Sequence, residues 1–177
     1  MSTLNERRAI AGQVAQAMGK TVYNNVEPRF KDTTPRLDLQ RKSPKLVTLE
    51  EAIRRSGLRD GMTISFHHHF RGGDKVVNMV VDKLAAMGFK NLHLAASSLQ
   101  DVHELLIQHI RNGVITQIST SGLRGELARE ISHGLMAKPV IFRSHGSRGA
   151  AIASGELHID VAFLGASSSD PLGNACG

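Results

Sequence analysis

From residue 61 onward, short apolar runs alternate with amphipathic stretches, and this alternation limits the available folds more than any other feature of the chain. Met62-Thr-Ile-Ser-Phe66 reads as a buried strand. Asp74 then opens a helix carrying Val76, Val77, Val80, Val81 and Leu84, closed by Gly88. Leu92-His-Leu-Ala95 predicts a second strand, and Asp101 a second helix with Val102, Leu105, Leu106 and Ile110, closed by Gly113. Val114 to Ile118 reads as a third strand, Glu126 to His133 as a third helix and Pro139 to Phe142 as a fourth strand. A short helical turn over Ala150–Ser154 and a fifth strand over Ile159–Leu164 complete the series. Strands joined through helices of this length are βαβ units, so the fold class is α/β: a parallel sheet with helices on both faces. Right-handed crossovers then bring every strand-to-helix loop to the same edge of that sheet.

Residues 1–60 read differently. Ile10, Val14, Ala17 and Met18 share one face of a short helix, and Pro28, Pro35 and Pro44 punctuate an extended stretch. Thr48-Leu-Glu-Glu51 then resembles a capping box, opening a helix that ends near Gly57. The division is therefore an N-terminal helical and extended arm, 1–60, and an α/β domain, 61–177. Parallel sheets need both faces covered, and nothing follows the fifth strand to complete its packing, so the domain is expected to be truncated at its C-terminal end.

Charge and composition narrow the function. The net charge is +6. Residues 1–60 carry 12 Lys+Arg against 7 Asp+Glu, whereas 61–177 carry 10 against 9, so the basic excess lies on the arm. With aromatics at 4% and no Trp, there is no stacking platform for single strands, and no nucleic-acid partner is expected. No apolar run approaches the ~20 residues of a membrane span, and the N-terminus lacks the apolar core of a secretory signal. One cysteine, Cys176, allows no intrachain disulfide and fits a reducing cytoplasm.

Four loops lie at the carboxyl ends of the strands, where open parallel sheets bind ligands: His67–Asp74, Ser119–Gly125, Arg143–Gly149 and Gly165–Asn174. Three of them set an arginine beside glycine: Arg71 with Gly72 and Gly73, Arg124 with Gly122 close by, and Arg148 with Gly146. Glycine lets the backbone approach a ligand, arginine offers a fork to carboxylate or phosphate, and a following helix N-terminus favours an anion. The ordinary alternative is that such glycines make turns and such arginines face water; recurrence on three loops favours a polyanion site. His69 and His145 are candidate hydrogen-bond donors to the same ligand.

Several chemistries lack their signatures. There is no G-x-G-x-x-G with a terminal acid on the second strand and no P-loop, and Gly146-Ser-Arg-Gly149 is one residue short of a nucleophile elbow. His67 and His69 would share a strand face, but no H-E-x-x-H or cysteine pair accompanies them, and no metal is expected. His103 and His109 read as facing solvent or a helix edge.

Gly61-Met-Thr-Ile-Ser-Phe-His-His-His-Phe-Arg-Gly-Gly-Asp-Lys75 resembles the citrate lyase alpha chain family, the citrate CoA-transferase subunit. Ile131-Ser-His-Gly-Leu135, Ser144-His-Gly-Ser-Arg-Gly-Ala150, Asp160-Val-Ala-Phe-Leu-Gly-Ala166 and Arg36-Leu-Asp-Leu39 extend the resemblance along the chain. The resemblance implies a CoA-transferase fold of two similar halves, of which this chain is most of the first. It implies exchange of acetate for citrate on a CoA-like prosthetic group carried by an acyl carrier (gamma) subunit, with acetyl-CoA as a surrogate. A beta subunit would then cleave the citryl thioester to oxaloacetate, within an oligomeric complex. His69, Arg71, Gly72, Gly73, Gly122, Arg124, His145, Gly146 and Arg148 are the expected substrate and CoA contacts, and the catalytic residues stay unassigned. Glu156 is not taken as a nucleophile. The competing expectation is a non-catalytic polyanion-binding or assembly domain, inactive alone; a sugar-phosphate isomerase-like sheet has no positive motif.

Overall fold

The computed structural model describes residues 45–67, 73–166 and 168–176. Helix α1 spans Leu49–Ser56. Thr48 starts it by accepting a hydrogen bond from the Glu51 amide (3.2 Å), and Gly57 ends it at φ 73°, a left-handed turn that favours glycine. Strand β1 (Thr63–His67) leads to α2 (Val76–Ala86), and β2 (Leu92–Ala96) to a 3-10 turn (Asp101–His103) and α3 (Leu106–Arg111). Strand β3 (Ile115–Thr120) is followed by α4 (Gly125–Ser132), β4 (Ile141–Phe142), α5 (His145–Ser154) and β5 (Val161–Leu164). The segment after β5, read from sequence as a loop, closes a small antiparallel hairpin of β6 (Ser168–Ser169) and β7 (Ala175–Cys176). Asp170 shapes its turn by accepting from the Leu172 and Asn174 amides, both at 2.9 Å.

The sheet is wholly parallel, in the order β4-β3-β2-β1-β5. The chain steps outward from β1 to β4, then returns past three strands to set β5 beside β1. That reversal puts α5 on the opposite face from α2, α3 and α4, so the α/β architecture with helices on both faces is realised. The two faces differ in chemistry. Ile64, Phe66, Leu92, Leu94 and Ile118 are essentially inaccessible and pack with Val77, Val80, Val81 and Leu84 of α2 and with Leu106 of α3. Burying one such side chain contributes ~1.5–3 kcal/mol. Phe66 also stacks on Phe163 of the neighbouring strand, with centroids 5.4 Å apart. The face under α5 presents Thr63, Ser65, His93, Ala95 and Ser119, and the apolar cluster described there is small: Ala95 with Ala151, Leu157 and the partly buried Ile159.

Two expectations change here. Residues 45–60 belong with the sheet rather than with an arm, because Ile53 and Leu58 are buried in the main core. The helix expected over Ala150–Ser154 begins five residues earlier, at His145, capped by the Ser144 hydroxyl, which accepts from the Ser147 amide at 3.1 Å. Residues 1–44, and the readings made on them, lie outside the described residues. No helix among those described is long and apolar enough to cross a membrane.

Candidate functional site

The carboxyl ends of the strands collect the loops as the topology requires, and β1 and β5 flank the point where the strand order reverses. Arg148 is the candidate that the structure ties most firmly to this region. It leaves the first turn of α5, half-buried, and its Nη2 donates to Ser65 Oγ on β1 at 2.8 Å and to the Ala95 carbonyl on β2 at 3.1 Å. Ser65 and Ala95 are partners in register, so one guanidinium nitrogen spans two adjacent strands. No carboxylate among the described residues lies within ion-pair distance of Arg148, and burial pulls its pKa down from the ordinary arginine value. A half-buried cation with neutral partners and spare N–H groups is a site prepared for an anion.

His145 and Gly146 begin α5 and are exposed, and a Cβ on Gly146 would meet open space. Their amides stand at the positive end of a ten-residue helix, one turn from the Arg148 Cα. Gly122 and Arg124 are held by backbone. Leu99 N donates to Gly122 O (2.8 Å) and Arg124 N to Leu99 O (3.1 Å), which stitches the loop after β3 to the loop after β2. The Arg124 side chain is exposed. The start of α4 already has an anion beside it, since any side chain at Gly125 (φ 65°) would collide with the Asp101 carboxylate. Gly73 is exposed, and His69, Arg71 and Gly72 lie outside the described residues.

Sequence reasoning passed over a polar row on the second sheet face. His93 Nε2 lies 2.9 Å from Ser119 Oγ, and its Nδ1 is 3.4 Å from Thr63 Oγ1. Burial, reinforced by Lys138 and Arg143, pulls the His93 pKa down from the ordinary histidine value, which favours the neutral ring. The available signal was Thr63 and Ser65 alternating with Ile64 and Phe66, and His93 set between Leu92 and Leu94. His103 is fully buried rather than exposed: its Nδ1 accepts from the Gln100 amide at 2.9 Å, and its Nε2 lies 3.9 Å from Asp74 Oδ2. His109 pairs with Asp82 across α2 and α3 at 2.6 Å. Glu156 is tied to Arg143 at 2.9 Å. Among the described residues, no group of three or more His, Cys, Asp or Glu is arranged to hold a metal. A cavity of about 850 Å³ lies against α2, lined by Leu49, Met79, Val102 and Leu105 with other α2 residues, and none of the candidate site residues lines it.

Comparison with known proteins bears on which anion belongs here. The family model for the citrate lyase alpha subunit matches residues 43–177. The chain is 67% identical over 131 residues to the citrate lyase alpha chain of Escherichia coli, covering 74% of this chain and 26% of that one. It is 61% identical over 156 residues to the citrate lyase alpha chain of Klebsiella pneumoniae, covering 81% and 31%. A solved structure of the alpha subunit of citrate lyase from Streptococcus mutans, in complex with citrate, superposes with a TM-score of 0.74 at 57% identity, covering 77% of this chain and 27% of that one. The chain thus spans between a quarter and a third of the length of these relatives. With a family model matched over 135 of its residues, the chain belongs to the citrate lyase alpha subunit family.

Proposed function

We propose that the chain is the first part of a citrate CoA-transferase subunit, which exchanges acetate for citrate on a thioester carrier. The observation that carries this reading is the Arg148 guanidinium, half-buried beside β1 and β2 with no carboxylate within ion-pair distance among the described residues. The Streptococcus mutans relative, solved with citrate, supports a tricarboxylate as the anion. In the exchange, the carbon–sulfur bond of the acetyl thioester breaks and one to a citrate carboxyl carbon forms. Acetate leaves with an oxygen drawn from citrate. A beta subunit would cleave the citryl thioester to oxaloacetate and restore the acetyl thioester.

On this reading Arg148 fixes a citrate carboxylate, and the His145 and Gly146 amides add the field of the α5 N-terminus. Arg124, with Gly122 close by, would neutralise a further carboxylate or phosphate. The Gly72 and Gly73 amides would serve the thioester end of the carrier's CoA-like group, for which acetyl-CoA substitutes, while Arg71 would neutralise a carboxylate or phosphate and His69 donate a hydrogen bond. The carrier group is a substrate belonging to the gamma subunit, and its own chemistry is the thioester it presents. This chain's part is to hold the acceptor acid in line with it.

The test is formation of citryl-CoA from acetyl-CoA and citrate, by this chain alone and by a longer form carrying the remainder of the family's length. Product from the longer form alone supports the transferase, with this chain as an incomplete half. No product from either folded protein overturns it and leaves a binding or assembly module.

A further inference from the structure

A guanidinium presents two forks to a carboxylate, Nε with Nη2 and Nη1 with Nη2, and both share Nη2. In this chain Nη2 is already engaged by the Ser65 hydroxyl at 2.8 Å and the Ala95 carbonyl at 3.1 Å. Ala95 is fully buried and Ser65 only 9% exposed, so water does not compete for these bonds. What remains for a ligand is the Nε–H and the Nη1–H groups, which point apart and do not converge on one carboxylate.

We infer that Ser65 is the positioning residue that holds Arg148 in this divergent presentation and so selects a ligand with several carboxylates over a monocarboxylate. The inference rests on the reading of Arg148 as the citrate contact and goes beyond it. A molecule with carboxylates at separate positions satisfies the two directions together, whereas acetate satisfies one. The acceptor acid would therefore be preferred over the acetate it displaces, through a residue that touches neither. Ser65 acts only through Arg148, anchored on β1 in register with Ala95.

The experiment measures dissociation constants of citrate and acetate by titration calorimetry on the 177-residue chain and its variants. Ser65→Ala is expected to weaken citrate about 3–10-fold with acetate unchanged or tighter, so that the ratio of the two affinities falls. Ser65→Thr, which keeps the hydroxyl, is expected to restore the ratio. In an Arg148→Ala background, itself about 10–100-fold weaker for citrate, Ser65→Ala is expected to add nothing. A merely structural serine would lower the melting temperature and leave the ratio alone. If Ser65→Ala does not fold, Ser65→Cys, which is isosteric and a poor acceptor, takes its place. Arg148→Ala weakening citrate while the Ser65 variants keep the wild-type ratio overturns the positioning role and leaves the citrate site standing. Citrate affinity unchanged in Arg148→Ala, or no citrate binding by the unsubstituted chain, overturns both.

Discussion

Arg148→Ala is expected to destabilise the fold as well as to weaken ligand binding, and the amount follows from the contacts. The side chain spans the gap between α5 and two strands with bonds of 2.8 and 3.1 Å. Hydrogen bonds from a charged donor contribute ~1.5–3 kcal/mol each. Against them stands the cost of keeping a guanidinium half-buried, with no counter-charge among the described residues, which the substitution relieves. Ser65, 9% exposed, loses its partner, and Ala151 of α5 keeps its place in the small apolar cluster with Ala95, Leu157 and Ile159. The net loss is about 2 kcal/mol, or roughly 5–8 °C in melting temperature for a domain of this size. Urea unfolding followed by circular dichroism measures it, and an unchanged slope against urea would show that the loss belongs to the native state. Stability within about 0.5 kcal/mol of the unsubstituted chain, the range of an ordinary surface change, would make the two bonds incidental to the fold.

Other positions give independent checks. Gly125→Ala meets both a positive φ and the Asp101 carboxylate, while Gly57→Ala meets only a positive φ in open space. The first is expected to cost more than the ~1–2 kcal/mol of the left-handed conformation and the second no more than that, compared by thermal unfolding. Because the folded His93 pKa lies below the unfolded one, the unfolded chain binds the extra proton as pH falls below about 6.5. This contribution to stability is fully present above that pH and declines toward the folded pKa. His93→Gln is expected to flatten the pH dependence in that window, as read by unfolding midpoints at several pH values. Phe66→Ala removes a core side chain that is 1% exposed and stacked on Phe163, with an expected loss of ~3–5 kcal/mol.

The sheet was legible because its strands and helices carry different periods. Ile64 and Phe66 alternate with hydroxyl residues, and Val77, Val80, Val81 and Leu84 recur at helical spacing, so each element announced which face it buries. The start of α5 was not legible. Ser144-His-Gly-Ser-Arg-Gly holds two weak helix formers, and its capping serine resembles any loop serine until the Ser147 amide is seen bonded to it. His103 was misplaced for a related reason: a 3-10 turn precedes α3, and the change of period rotates the ring inward beside Asp74. Arg148 was legible as a candidate from its flanking glycines. Its partners were not, because Ser65 lies 83 residues away and only the return of α5 over the second face brings them together. Expectation and geometry also part over the fork, since strand contacts use the nitrogen that both forks share.

Citrate binding where α5 crosses β1 and β2 is the proposal on which the functional reading stands. At 19.2 kDa the chain suits titration with citrate followed by amide chemical shifts in nuclear magnetic resonance. Saturable shifts centred on Ser65, Ala95 and His145–Arg148 are expected, and they are lost in Arg148→Ala. Saturable shifts confined to the α2 cavity around Met79 and Leu105, or identical shifts in Arg148→Ala, would contradict that proposal.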